Sequence, residues 1–229
     1  MPGASVRVEY QEELANLEAS ALGGLDLVAT ALGRTLEAIE HQDVELAQIV
    51  VADDDRIDGR YLEVHQSLIT LLATQSPVAT DLRLISALLH VLKNIERMGD
   101  QCVNICKMIP LSGNEPPADE EMVRLILSMG KHARALIGQA QRAFAERSVE
   151  MAQDLVRQDD VVDDLNRECF RLALEIGDDA DRREWAMTML LAARAIERIG
   201  DNGVDIGEQV AFVVTGLFRE FEDASHPSP

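Results

Sequence analysis

Ile95-Glu96-Arg97-Met98-Gly99-Asp100 returns 101 residues later as Ile196-Glu197-Arg198-Ile199-Gly200-Asp201. Chance does not readily repeat the order apolar, acid, base, apolar, glycine, acid at matching places in two stretches. Working outward, Val44-Glu45-Leu46-Ala47-Gln48 matches Val149-Glu150-Met151-Ala152-Gln153 at an offset of 105. At that same offset of 105, Asp54-Asp55-Arg56-Ile57-Asp58 matches Asp159-Asp160-Val161-Val162-Asp163 and Gly33 matches Gly138. The chain is therefore an internal duplication. The offset shrinks by 4 residues between the second and third helical stretches of the repeat, where a turn tolerates deletion.

The period is helical almost throughout. Leu14, Leu17, Ala21, Leu25, Val28, Leu32 and Ile39 recur at three- and four-residue steps, as do Leu82, Ile85, Leu89, Leu92, Ile95, Cys102, Ile105 and Ile109. No segment alternates as a strand would. The spacing predicts helices over 8–40, 43–73 and 78–109, then over 118–146, 148–176 and 181–215, with Asp43 and Ser148 as equivalent N-caps. Ser76-Pro77 reads as a further N-cap with proline at the first helical position. Pro110, Pro116 and Pro117 mark 110–117 as a linker, and 216–229 is expected to be a disordered tail. The fold class is all-α, a tandem of two three-helix bundles over 8–109 and 118–215.

Composition narrows the function. The 229 residues carry 21 basic and 41 acidic side chains, a formal charge of −20, with only 3% aromatics. Nucleic-acid affinity comes from clustered Lys and Arg, so direct nucleic-acid binding is disfavoured, as is docking on anionic lipid. Cations and basic protein surfaces are the natural partners. No run reaches the roughly 18 apolar residues of a membrane span, which argues against membrane insertion. Cys102, Cys106 and Cys169 form no CxxC, which suits a reducing cytoplasm; Cys102 and Cys106, one turn apart, read chiefly as core filler.

The chemistry concentrates in carboxylates. The middle helix of each repeat carries Asp54/Asp58 or Asp159/Asp163, and the last helix carries Glu96/Asp100 or Glu197/Asp201, all at i, i+4. The last-helix row continues as Asn104 in one copy and Asp205 in the other. Such pairs share one helix face, beside the core stripe, and like charges there repel. Protonation, basic neighbours or a bound cation must offset the repulsion. Oxygen-only ligands suit hard ions such as Mg, Mn or ferric iron, and admit Zn. Lys93 and Arg194, three residues before Glu96 and Glu197, offer the simpler alternative of ion pairing. Gly99 and Gly200 each cost a helix interior about 1 kcal/mol, which points to close packing at this level.

Catalytic patterns are lacking. No Gly-rich phosphate loop, nucleophile elbow or HExxH occurs. None of His41, His65, His90, His132 or His226 follows a glutamate by three residues, so the Glu-x-x-His of di-iron bundles is missing. A metal-dependent carboxylate-bundle enzyme, or an iron-binding protein, stays as the alternative, to be recognised by turnover of a phosphate ester or of ferrous iron.

The duplicated Glu-Arg-x-Gly-Asp with an upstream Asp-x-x-x-Asp resembles the PhoU family over roughly 8–215. The resemblance implies a cytoplasmic, non-enzymatic regulator of phosphate uptake that is homodimeric. It implies contacts with the ATPase of the phosphate-specific ABC transporter and with a sensor histidine kinase, keeping import and the starvation response off when phosphate is plentiful. It further implies multinuclear iron or zinc clusters, one per bundle, on Asp54, Asp58, Glu96 and Asp100 and on Asp159, Asp163, Glu197 and Asp201, with Asp205 enriching the second site.

Overall fold

The computed structural model of the chain describes residues 2–112, 119–176 and 179–221. The first repeat contains α1 (Pro2–His41), α2 (Val44–Asp53), α3 (Asp55–Gln75) and α4 (Ala79–Met108). The second contains α5 (Glu120–Glu146), α6 (Val149–Glu175) and α7 (Ala180–Thr215). Among the described residues there is no strand. The two helical bundles expected from the duplication are present.

The helix starts follow their caps. Asp43 accepts the Leu46 N–H at 2.9 Å and Ser148 accepts the Met151 N–H at 3.2 Å, the equivalent roles expected of them. Asp119 opens α5 in the same way through the Met122 N–H at 3.0 Å.

Several boundaries differ from expectation. The single helix expected over 43–73 is broken at Asp54, whereas its counterpart α6 is continuous. The first repeat places three acids in a row there, Asp53-Asp54-Asp55, against Gln158-Asp159-Asp160 in the second. Aspartate is a poor helix former and crowded carboxylates repel, so the ladder tightens, with Ile57 and Asp58 both donating to the Asp54 carbonyl at 2.8 and 3.0 Å. Ser76 is not an N-cap; it closes α3 in the left-handed region at φ 46°, and Val78 precedes α4 in extended conformation. A residue before proline is pushed out of the right-handed helical region, so Ser76 ends one helix rather than starting the next.

The expected linker over 110–117 begins as a 3-10 turn over Ile109–Ser112, and 113–118 lies outside the described residues. Of the expected disordered tail over 216–229, the part to Phe221 is instead held at its two ends, with 217–220 exposed between them. Gly216 at φ 75° caps α7, Phe221 sits against the core, and the Phe221 N–H donates to buried Glu208 at 2.7 Å. Residues 222–229 lie outside the described residues.

The two repeats share one hydrophobic core. It runs from Leu25, Leu32 and Leu36 of α1 through Leu92, Ile95 and Met98 of α4 to Met129 and Leu136 of α5 and Ile196, Ile199 and Ile206 of α7. The seam is tight because glycines lie opposite leucines. A Cβ at Gly130 would overlap Leu36, and one at Gly203 would overlap Leu136. Polar pins cross the seam as well: Arg147 pairs with Glu18 at 2.7 Å, and Gln141 donates to the Leu22 carbonyl at 3.1 Å. Among the described residues no helix is long and apolar enough to cross a membrane.

The seam predicts opposite effects for two equal substitutions. Gly59 has open space where a Cβ would go, so Gly59→Ala should stabilise by up to about 1 kcal/mol. Gly203→Ala should destabilise by about 1–3 kcal/mol despite the same gain in helix propensity, because Leu136 must move. Urea unfolding of the two variants checks the sign of each.

Candidate functional site

The glycines of the repeated motif seat the acids of the partner helix. In the first repeat a Cβ at Gly99 would lie 2.9 Å from Asp54 Oδ1, and in the second a Cβ at Gly200 would overlap Asp159 Oδ1. The same carboxylate is thus pressed on the same backbone position in both copies. That contact explains why a helix interior keeps glycine between Glu and Asp in each motif.

In the first repeat the acids lie on a half-open face. Asp54 sits half-buried at the α2–α3 break, while Asp58 in the first turn of α3 and Asp100 on α4 are exposed. Burial first, then the charges of Asp58, Asp100, Asp55 and Glu96, push the Asp54 carboxyl up to about 6. Asp100 is raised by burial and by Glu96 and Asp58, against the pull of Lys93 and Lys107. Asp54, Asp55, Asp58, Glu96 and Asp100 therefore share one electrostatic neighbourhood. Glu96 is partly neutralised by Lys93 at 2.6 Å.

In the second repeat three of the four acids are buried, not flanking the core as expected. Asp159 is 3% exposed, Asp163 7% and Glu197 5%. Arg194 pairs with one oxygen of Glu197, while the other, Oε2, is buried without a hydrogen-bond partner. Arg167 reaches Asp163 at 3.4 Å. The simple ion pairs anticipated at Lys93 and Arg194 therefore do form. Asp201 is half-buried, one residue beyond the Gly200 contact.

Asp205 does not join this group. Its charged neighbours are Arg97 and His90 of the facing α4, together with Glu220. Each i+4 step advances about 40° around a helix, so two steps from Glu197 turn the side chain onto the inter-repeat face. Any asymmetry between the two sites therefore arises from burial rather than from Asp205.

The sequence reading did not foresee the surroundings of Asp54. Arg34 of α1 pairs with Asp53 at 2.6 Å, and a cavity of about 40 Å³ lies behind the acids, lined in part by Thr30, Arg34, Asp53, Asp54, Gly99 and Cys102. A cavity of that size holds one or two water molecules. Arg34 and Asp53 lie 19 residues apart on different helices, and no local pattern marks the pair. Cys102 and Cys106 are buried free thiols, with Cys106 Sγ 3.4 Å from the Thr35 hydroxyl, so they fill core as expected.

As donors, these carboxylates suit hard cations, and the buried Glu197 Oε2 faces no competing donor. Among the described residues, however, no three His, Cys, Asp or Glu side chains stand together in a ready metal-holding arrangement. Ion occupancy would require Lys93, Arg194 and Arg167 to yield the acids they now hold.

Comparison with known proteins covers both repeats. The model of the PhoU domain matches residues 25–109 and again 126–210. A phosphate-specific transport system accessory protein PhoU homolog of Clostridium acetobutylicum is 30% identical over 216 residues, spanning 93% of this chain and 98% of that protein. The PhoU homolog 1 of Mycobacterium tuberculosis is 30% identical over 227 residues, spanning 96% and 99%. The crystal structure of PhoU from Pseudomonas aeruginosa superposes with a TM-score of 0.81 at 26% identity, covering 91% of this chain and all of that one. The fold of PhoU from Streptococcus pneumoniae matches with a TM-score of 0.82 at 24% identity over 93% of this chain.

The raised Asp54 carboxyl fixes a pH dependence. A folded-state value of about 6 against an ordinary 3.8 means that the folded chain binds this proton more tightly than the unfolded one. Ionised Asp54 therefore weakens the fold at neutral pH, and the penalty fades as pH falls and is gone below about pH 4. With chelator present, Asp54→Asn should raise Tm near pH 7.5 and leave it unchanged near pH 4. A gain of equal size at both pH values would mean that charge is not its source.

Proposed function

The chain belongs to the PhoU family, and on that footing we propose that it is a non-enzymatic accessory regulator of phosphate import. In this reading it restrains a phosphate-specific ABC transporter and the starvation response while phosphate is plentiful. It acts from the cytoplasm, as a homodimer, through contacts with the transporter ATPase and a sensor histidine kinase. The observation that carries the reading is the duplicated PhoU domain, with the same aspartate-on-glycine contact in each copy. The relatives it matches over nearly their full length are named as accessory proteins of phosphate transport. A charge of −20 on helical faces favours association through basic partner surfaces over capture of free phosphate by the bare protein.

We further propose that the carboxylate faces hold metal ions, iron or zinc, with Asp54, Asp58, Glu96 and Asp100 on the first and Asp159, Asp163, Glu197 and Asp201 on the second. A bound cation would add positive charge among the clustered carboxylates. The protein's own contribution is to hold the acids. Gly99 and Gly200 admit the middle-helix aspartates to the last-helix backbone, and the apolar core fixes both helices.

The test is elemental analysis of untagged protein alongside phosphate uptake in cells. Burial leaves charge in the second repeat least screened, so Glu197→Gln with Asp201→Asn should lower bound metal more than Glu96→Gln with Asp100→Asn. Equal loss from both pairs contradicts that ranking. Deletion of the protein should raise phosphate uptake under phosphate-replete conditions, and unchanged uptake would overturn the regulatory reading. Oxygen-dependent turnover of ferrous iron by the purified protein would instead favour the iron-enzyme alternative.

A further inference from the structure

The two repeats differ on the outward face of the middle and last helices. In the first repeat Tyr61 occupies the space between α3 and α4, its ring 5.4 Å from that of His65 and 5.8 Å from the Lys93 ammonium. In the second, the equivalent of Tyr61 is Asn166, at the offset of 105. The aromatic plug is missing, and a surface pocket opens there, chiefly apolar in lining and rimmed by Arg167, Arg171 and Arg194.

The neighbouring positions change in one direction. His65 becomes Phe170, and on the last helix Ser86 becomes Met187 and His90 becomes Leu191, at the offset of 101. Phe170, Leu174, Met187 and Leu191 are each more than half exposed. Scattered exposed apolar residues need no explanation, but exposed i, i+4 pairs on two helices packed together, with Phe170 lining a pocket, do. Over the same positions the rim becomes more basic, Leu62 giving way to Arg167 and Gln66 to Arg171. Three arginines thus gather around an apolar pocket in a chain of net charge −20.

We propose that this α6–α7 face is a docking groove for an acidic amphipathic helix of a partner protein. The inference deepens the contact-based reading under Proposed function and rests on it, while needing no metal. Two helices side by side leave a groove that takes a third by its apolar ridge, the helix-in-groove mode. Residues 167, 170, 171 and 174 share one face of α6, and 187, 191 and 194 one face of α7, so apolar anchors and arginines line the same track. Arg194 is already paired with Glu197, and Arg167 with Asp164 and Asp163, yet each guanidinium has five donors and can bind a further carboxylate, while Arg171 adds a third guanidinium to the rim. Charge complementarity selects an acidic ligand over a basic one at this spot, opposite to the preference of the acidic surface at large.

The probes are three fluorescein-labelled 18-residue peptides read by anisotropy against the full chain, a length of about five helical turns. One carries Leu at i, i+3, i+4 and i+7 with Glu elsewhere, the second has Lys for Glu, and the third scrambles the first so that its apolar stripe is lost. The Glu peptide is expected to bind saturably and the other two at least about tenfold more weakly. Asn166→Tyr, which restores the plug of the first repeat, should weaken the Glu peptide by about tenfold or more. Arg171→Glu, an exposed change that leaves the core untouched, should weaken it and strengthen the Lys peptide.

No binding of the Glu peptide up to roughly 1 mM overturns the proposal, as does equal binding of the Lys or scrambled peptide, or indifference to Asn166→Tyr. Sedimentation of the same variants supplies the remaining outcome. If Asn166→Tyr dissolves a dimer, the face belongs to a second copy of this chain and the proposal fails. Phosphate uptake in cells is read separately, so loss of the groove and loss of the regulatory reading are distinguishable.

Discussion

A helix can be enclosed by neighbours on most of its circumference only if its own side chains are small. That constraint is met in α7, which is buried against α4, α5 and α6 along most of Ala192–Val213. Alanines at 192, 193 and 195 and glycines at 200, 203 and 207 keep its girth down. Each glycine receives a different neighbour: Gly200 the Asp159 carboxylate, Gly203 the Leu136 side chain, and Gly207 Leu155 together with the Ala152 carbonyl. One helix face thus sets the aspartate contact, the seam between the repeats and the packing of the α6 amino end. Sub-ångström changes there propagate because close-packed interiors do not absorb added volume.

The duplication makes the first repeat a natural comparison. Its last helix has Gly99 but then Cys102 and Cys106 where the second has Gly203 and Gly207. Both thiols are fully enclosed, and burial pushes both up, so they act as small apolar filler. Small residues recur at these positions in both copies, glycine in the copy whose neighbours press hardest. The acids follow the same gradient. On the first repeat they share a half-open face on which the Asp54 and Asp100 carboxyls are raised, and on the second three of them are sealed between α6 and α7.

Buried like charge is a poor source of stability, since desolvation usually exceeds what a single ion pair returns. Arg194 and Arg167, both exposed, pair with Glu197 and Asp163, and Glu197 Oε2 stays buried without a hydrogen bond. The fold therefore tolerates at these two faces an electrostatic cost that apolar residues of similar size would remove. That tolerance, repeated at matching positions, is the physical ground for the proposal that the acids hold metal ions.

Much was legible in the sequence because helices and duplications are local or self-comparing signals. The three- and four-residue spacing of Leu25, Val28, Leu32 and Ile39 is enough to predict α1, and Asp43 and Ser148 mark caps through hydrogen bonds spanning three residues. The motif Glu-Arg-x-Gly-Asp, met twice, identified the acids and the family. Other features were decided only when separate helices met. The break at Asp54 depends on three crowded acids, one of them held by an arginine from α1. The burial of Asp159, Asp163 and Glu197, and the turning of Asp205 toward α4, follow from helix-on-helix packing, which i, i+4 spacing does not encode. The pocket at Phe170 depends on the absence of a tyrosine that only the aligned copies reveal as missing. Sequence period sets which residues share a helix face, because that is intrahelical geometry. Which face meets which neighbour, and how deeply, belongs to the tertiary structure, because it is settled by volumes contributed from residues far apart in the chain.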